Sequence, residues 1–550
     1  MRWRVAGPGR DTNCRCQRLL RSIRPQESDG NGRSSKCICT VWVRSLVNGL
    51  RRRGGTPASL HWSEAQMDRL AHRYPAELLD AVFGKDSKGI APTERARSSA
   101  RRFVRSQVQL AFASPSAKGR ILTAYEALQT FGWETLRRVA TDGAATLVRS
   151  AEEPSSTLRS QRVELGITPE ELSKQTGVSQ SDILNAETPG NLTSIRTLEK
   201  LGQALALDER RLGYQPNAGR DTALGVRLRE LRQAADTTIF GPRTVLDLSE
   251  AAWVIARQDY LSKALGLASP TRIELPAPNA NYSYPAYRIG YELAERTREL
   301  LGYTDEQPID SLRALIEEVL ELPLVQQRMD DRFAGATIAN GNIRGIVINE
   351  RGMNSNVWVR RMTLCHEVGH VLWDPDTYLS KLKVDEYAEV EGDISGYHKT
   401  DPVEIRANAF AVSFLAPPSG VRRIAEQCHE NVQQILAQVM STYGISGSAA
   451  RHHVHNITQL ETASVPISSL PHPTEDWIAQ EELSISYFPI QDTPITRRGK
   501  FAWFVAKMLN SGMLSEDTAS AYLKCNTGET SAHLQTILSM WPDGVDRSQG

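Results

Sequence analysis

The chain has 550 residues, with 65 Lys and Arg against 64 Asp and Glu and a hydrophobic fraction of 40%. That length leaves room for roughly three or four domains, and the composition is that of an ordinary globular protein. A formal net charge of +1 excludes nucleic-acid affinity from the total charge, so any such affinity must come from a local patch. No run approaches roughly 18 uninterrupted apolar residues, and the N-terminus lacks the apolar core of a signal peptide. Seven cysteines are spread too thinly for a disulfide framework. We therefore expect a cytoplasmic protein of a reduced compartment, with no membrane partner.

Residues 1–57 are Arg-rich and nearly acid-free, punctuated by Gly and Pro and without periodicity, so they are expected to be disordered. Cys14, Cys16, Cys37 and Cys39 fall here, each pair separated by one residue instead of the two to four usual for zinc. An alternative reading places this segment upstream of a natural start near Met67. Residues 58–150 read as a helical region without chemistry, from apolar residues three and four apart in the runs around Leu78 and Leu122.

Helix boundaries are clearest over 158–214. Thr168-Pro169-Glu170-Glu171 supplies an N-cap hydroxyl, a proline at the first helical position and a glutamate at the third. Gly177 ends that helix, and Ser179-Gln180-Ser181-Asp182 opens the next. Two short helices joined by a Gly-containing turn form a helix-turn-helix corner. With Leu158-Arg159, Arg162, Gly166-Ile167, Leu172-Ser173, Gly177-Val178 and the tail Leu198, Leu201, Ala204-Leu205, the segment resembles the Cro/C1-type (XRE) repressor domain. Pro169 stands where that family often has glutamine. The resemblance implies an all-α five-helix domain that binds double-stranded DNA, with homodimerisation through it as a further expectation. The second helix of such a corner enters the major groove, which makes Ser179, Gln180, Ser181 and Asn185 the expected DNA contacts. The competing reading is a corner retained for protein contacts.

Residues 222–285 read as a helical connector ending in a linker marked by Pro270, Pro276, Pro278 and Pro285. Helices are expected over Tyr287 to Leu301 and Ser311 to Val319, and a strand at 344–349. Val357 to Trp373 is free of helix breakers and contains His366-Glu367-Val368-Gly369-His370. Histidines four apart lie about 40° from each other around a helix, so both imidazoles can reach one ion. This is the zincin arrangement, in which the histidines hold Zn2+ and the glutamate serves as general base toward water. Gly369 lets a neighbour approach the helix closely. The strand at 345–349 is expected at a sheet edge, where substrate main chain could pair.

The flanks add a second resemblance. Pro308-Ile309, Gly335 and Ile346-Val347-Ile348-Asn349 precede the motif, and Glu404-x-x-Ala407-Asn408-x-Phe410-Ala411 through Ala416-Pro417 follows it. Over about 285–460 this resembles the ImmA/IrrE metallopeptidases, and the resemblance implies Glu404 as third zinc ligand and a transcriptional repressor as protein substrate. Asp374, Asp376, Asp385, Glu386, Glu389, Glu391, Asp393, His398 and Asp401 are chemically able to compete. Glu404 alone opens a helix with a face to pack, just after Pro402, which is what a rigid ligand needs. Tyr443-Gly444-Ile445-Ser446 marks a second helix-turn-helix fragment, beside which His452, His453 and His455 read as polar surface.

The expected fold is multidomain and mainly α: the XRE domain (158–214), an α+β zincin-like peptidase domain (286–460) and a helical C-terminal region (461–550). The expected function is a regulatory zinc metallo-endopeptidase fused to a DNA-binding domain. The alternatives are a transcription regulator whose zinc domain binds a partner without turnover, and a toxin–antitoxin component.

Overall fold

The computed structural model describes residues 74–218, 241–267, 286–331, 333–340, 343–374, 384–386, 402–481 and 487–541. Residues 1–57, Met67, the proline linker, Asp376, Glu389, Glu391, Asp393, His398 and Asp401 lie outside the described residues. The described chain is mainly helical with two small sheets. Among the described residues no helix is long and apolar enough to cross a membrane.

Helices α1 (Ala76–Phe83) and α2 (Pro92–Ser98) lead into strands β1 (Arg102–Arg105), β2 (Gln109–Phe112) and β3 (Arg120–Thr123), then α3 (Ala124–Asp142) and β4 (Ala144–Thr146). The strands make an antiparallel sheet in the order β3-β1-β2-β4. This corrects the expectation of a wholly helical 58–150. Each strand is at most four residues long, and arginines stand where apolar alternation would have announced it. Buried Arg105 donates to the carbonyls of Glu209 and Leu212 at 2.8 and 2.7 Å, and buried Arg120 pairs with Glu199 and Asp517. Glu126, in the capping box at the start of α3, also accepts the Ser515 N–H at 2.8 Å.

The helix-turn-helix segment holds α4 (Ser155–Glu164), α5 (Pro169–Thr176), α6 (Gln180–Ala186) and α7 (Ile195–Ala204). The Thr168 hydroxyl accepts from Glu171 N at 3.2 Å and the Glu171 carboxylate from Thr168 N at 2.7 Å, while Gly177 takes φ +67°. The expected fifth helix is replaced by consecutive turns over 209–218, where Gly213 and Asn217 adopt positive φ.

Helix α8 (Pro242–Ala264) is no connector. It is buried along most of its length and packs on α7, α5 and the second sheet. Charged residues of the helix are buried in ion pairs, Glu250 with Arg497 and Arg257 with Glu209, so its apolar stripe is interrupted by charges that distant partners compensate.

The remaining elements begin with α9 (Ala286–Leu301) and α10 (Leu312–Ala314, continued by a π turn over Leu315–Val319). Then come β5 (Leu324–Gln327), β6 (Phe333–Asn340), β7 (Ile343–Asn349), α11 (Val357–Trp373), β8 (Val384–Glu386) and α12 (Pro402–Leu415). Four further helices follow: α13 (Pro418–Gln427), α14 (Val432–Tyr443), α15 (Gly447–Thr458) and α16 (Glu475–Gln480). The second sheet has the order β5-β7-β6-β8, with β7 parallel to β5 and antiparallel to β6. The strand at 344–349 is therefore interior, and the expected pairing of substrate along it is overturned: both of its hydrogen-bonding sides are taken.

Period-two alternation puts the sheet between two cores. Ile346 and Ile348 of β7 face the core that contains α11 and α12, and Val347 faces the other. A Cβ on Gly345 would meet Ile255 of α8 at 2.7 Å, so glycine is what allows α8 to lie against the strand. The second core continues past 460 through Leu470 and Trp477. The chain then returns to the first core with α17 (Lys500–Asn510), α18 (Glu516–Leu523), α19 (Glu529–Ala532) and α20 (Leu534–Ser539). The C-terminal region is helical, but it closes the N-terminal core instead of standing as a separate tail.

Candidate metal centre

Helix α11 starts where Asn356 accepts the backbone N–H groups of Trp358 and Val359 at 2.9 and 3.4 Å. Fifteen of its 17 residues are buried, which rules out an amphipathic surface helix with incidental histidines. It lies on the second sheet on one side and on α12 on the other. Two glycines set these distances. A Cβ on Gly369 would lie 2.9 Å from the Phe410 ring of α12, and one on Gly335 of β6 would lie 2.8 Å from a Glu367 oxygen. On the far side of α12, Gly290 of α9 brings backbone against backbone, its absent Cβ falling 2.4 Å from the Arg406 carbonyl.

This packing brings His366, His370 and Glu404 together. The two Nε2 atoms are 2.9 Å apart, and Glu404 Oε2 lies 3.2 Å from His366 Nε2 and 3.3 Å from His370 Nε2. All three residues are buried, with 1%, 2% and 7% of their surfaces exposed. His366 Nδ1 lies 2.8 Å from Asn408 Oδ1, and His370 Nδ1 lies 2.8 Å from Asp374 Oδ2. Both partners are acceptors, so each Nδ1 carries the proton and each Nε2 turns a lone pair toward the other. Two lone pairs and a carboxylate converging in a buried space repel unless a cation lies among them.

The donor set fits zinc. Tetrahedral coordination with bonds of ~2.0–2.1 Å spaces ligand atoms about 3.3–3.4 Å apart, close to the separations from Glu404. Without an ion the same cluster could be reconciled only by protons on the imidazoles: against burial, which raises the Glu404 carboxyl, their hydrogen bonds and charge would hold it well below the usual carboxylate range. Adjacent Cys365 is buried in the second core, where burial pushes its thiol well above its usual value, and it takes no part in the cluster.

Glu367 is 1% exposed and sits between α11 and β6. The Thr337 hydroxyl donates to its Oε2 at 2.6 Å. Sequence reasoning missed Thr337, Asp374 as a hydrogen-bond partner and Asn408 as one. Asn408 carried a signal, since it stands one turn beyond Glu404 on the same helix; Thr337 carried none, because strand-to-helix register is a long-range fact. Sequence reasoning also misjudged His453. It is buried, donating from Nε2 to the Ala416 carbonyl at 2.7 Å and accepting the Tyr291 hydroxyl on Nδ1 at 2.6 Å. Burial lowers its pKa to about 4, so it is a neutral core residue and not polar surface. His455 is exposed, as expected.

The four expected DNA contacts do not behave alike. Gln180 and Ser181 are exposed on α6, and Ser179 caps that helix by accepting Asp182 N at 3.1 Å. Asn185 holds the following loop, donating to Thr193 Oγ1 at 3.2 Å and accepting from Asn191 at 2.8 Å. The charge around them is unfavourable for a phosphate backbone. Residues 155–204 carry five cations (Arg159, Arg162, Lys174, Arg196, Lys200) against six anions (Glu164, Glu170, Glu171, Asp182, Glu187, Glu199), a net of −1. Three of the five cations pair with carboxylates, Arg162 with Glu187, Lys174 with Glu170 and Arg196 with Asp517. No Lys or Arg lies between 175 and 195. No protein-family model matches the chain and no curated protein matches it, so the chemistry of the site is read from its own residues.

Proposed function

We propose that this chain is a zinc metallo-endopeptidase, held together by His366, His370 and Glu404. The observation that carries the reading is the buried convergence of two imidazole nitrogens and a carboxylate oxygen, the oxygen standing 3.2 and 3.3 Å from the nitrogens, close to the spacing of ligands around a tetrahedral ion. Zinc bound there supplies Lewis acidity toward a peptide carbonyl and toward water. Glu367 takes the proton of the attacking water and delivers it to the leaving amine, and Thr337 keeps its carboxylate in one rotamer. A transcriptional repressor as substrate, and membership of the ImmA/IrrE group, follow from the sequence resemblance alone.

Glu404→Ala should reduce zinc, measured by elemental analysis after dialysis, from one ion per chain to a small fraction. Glu389→Ala and His398→Ala should leave it unchanged. A site emptied by His398→Ala but still filled in Glu404→Ala would make this a three-histidine centre.

For the helix-turn-helix unit the charge census favours a structural or protein-contact role over duplex reading, since affinity for DNA is dominated by phosphate neutralisation. Its core is shared with the first sheet, α8 and the C-terminal helices, which gives it a packing role in any case. Gln180→Ala should change the affinity for any duplex by less than about twofold in an anisotropy titration. A selective loss of about 1–3 kcal/mol for one sequence would restore the base-reading role.

A further inference from the structure

Asp374 competes with Glu404 as a ligand on chemical grounds, yet its carboxylate is occupied elsewhere. It caps the C-terminus of α11, at 4% exposure, with Oδ2 on His370 Nδ1 at 2.8 Å. Its other oxygen, Oδ1, accepts from the guanidinium of Arg406, which is also buried. Arg406 lies two residues beyond Glu404 on α12. One carboxylate thus touches a ligand on the motif helix and, through Arg406, the start of the helix that delivers the third ligand. His366 is treated differently, because its Nδ1 faces the neutral amide of Asn408.

From this geometry we infer that Asp374 is the positioning residue of the metal centre: it fixes the His370 tautomer and, through Arg406, ties Glu404 to the two histidines. The inference rests on the reading of His366, His370 and Glu404 as ligands. A carboxylate on the outer nitrogen of a ligating histidine orients the ring and raises its basicity, and losing such a partner typically costs about 10–100-fold in metal affinity. Arg406 offsets the buried charge of Asp374 and locks the separation of the two helices. A hydrogen-bond partner without charge would do only part of this work, and Asn408 shows that the site tolerates such a partner on its other histidine.

The test is competition for zinc between the full-length protein and a chromogenic chelator. Asp374→Asn gives His370 the kind of partner His366 already has, so the change isolates the charge and the tie to Arg406. We expect zinc affinity to fall about 10–100-fold while the melting temperature of the zinc-free protein moves little. Arg406→Gln should weaken binding less, and the double variant should lose less than the sum of the two, because both act through one contact. Wild-type zinc affinity in Asp374→Asn, with Glu404→Ala still emptying the site, would overturn the positioning role and leave the metal centre standing. Fully additive losses would overturn the link through Arg406. A wild-type protein that takes up no zinc would overturn the ligand assignment and this inference with it.

Discussion

Glu367→Gln should abolish peptide hydrolysis while keeping one zinc per chain. The substitution leaves His366, His370 and Glu404 untouched and is nearly isosteric, so the contact with Thr337 and the fit against Gly335 are retained in shape. What is lost is the carboxylate that the proposed mechanism uses to accept a proton from water and return it. General-base contributions run to about 10²–10⁴-fold, and a buried amide has no basicity to replace a carboxylate. The assay needs a specific protein substrate, and the product of the neighbouring gene is the one to try. Cleavage by the variant at the wild-type rate would remove the proposed mechanism. Loss of zinc from it would assign Glu367 a role in the metal shell instead.

What could be read from the sequence follows contact range. The motif helix was legible to the residue, Val357 to Trp373, because freedom from helix breakers and two histidines four apart are local facts. So were the corner around Thr168 and Gly177 and the cap at Ser446, where a side chain reaches its own helix. Glu404 was legible through the resemblance and through its place at the start of a packable helix after Pro402, although nothing local shows that α9 presses α12 against α11. The first sheet was hidden because its strands bury arginines whose partners, Glu199 and Asp517, stand far along the chain. The same cause hid the burial of α8, a helix legible in the sequence but read as a connector, whose Glu250 meets Arg497 and Lys524. A buried charge looks like a surface residue in a sequence until its partner is known. His453 is the single-residue version of that rule, since Tyr291 and Ala416 both lie outside its helix.

Glu481→Ala should destabilise the metal-bearing half of the protein by about 3–5 kcal/mol, the usual result of leaving a buried charge without its partner. Arg361 stands on α11 five residues before His366, with a fully buried side chain paired to Glu481, itself 1% exposed. The same carboxylate accepts the backbone N–H groups of Leu312 and Arg313, at 2.6 and 3.1 Å, and so caps α10. Removing it leaves the guanidinium with the carbonyls of Ile309, Asp310, Tyr443 and Gly444 and the Trp477 ring, 4.5 Å away, but no counter-charge, and orphans two amides at a buried helix start. Burial already lowers the Arg361 pKa, against the pull of Glu481, so the pair is electrostatically costly and depends on its partner. Glu481→Gln keeps an acceptor for the amides but not the charge, and should fall between alanine and wild type. Urea unfolding with zinc saturating in every sample isolates the pair from the metal, because ligand binding to the folded state otherwise adds its own stabilisation. A midpoint unchanged in Glu481→Ala would mean that the four carbonyls and the Trp477 ring suffice for Arg361. The anchoring of the motif helix would then rest on Asn356, on those carbonyls and on its packing against the second sheet and α12.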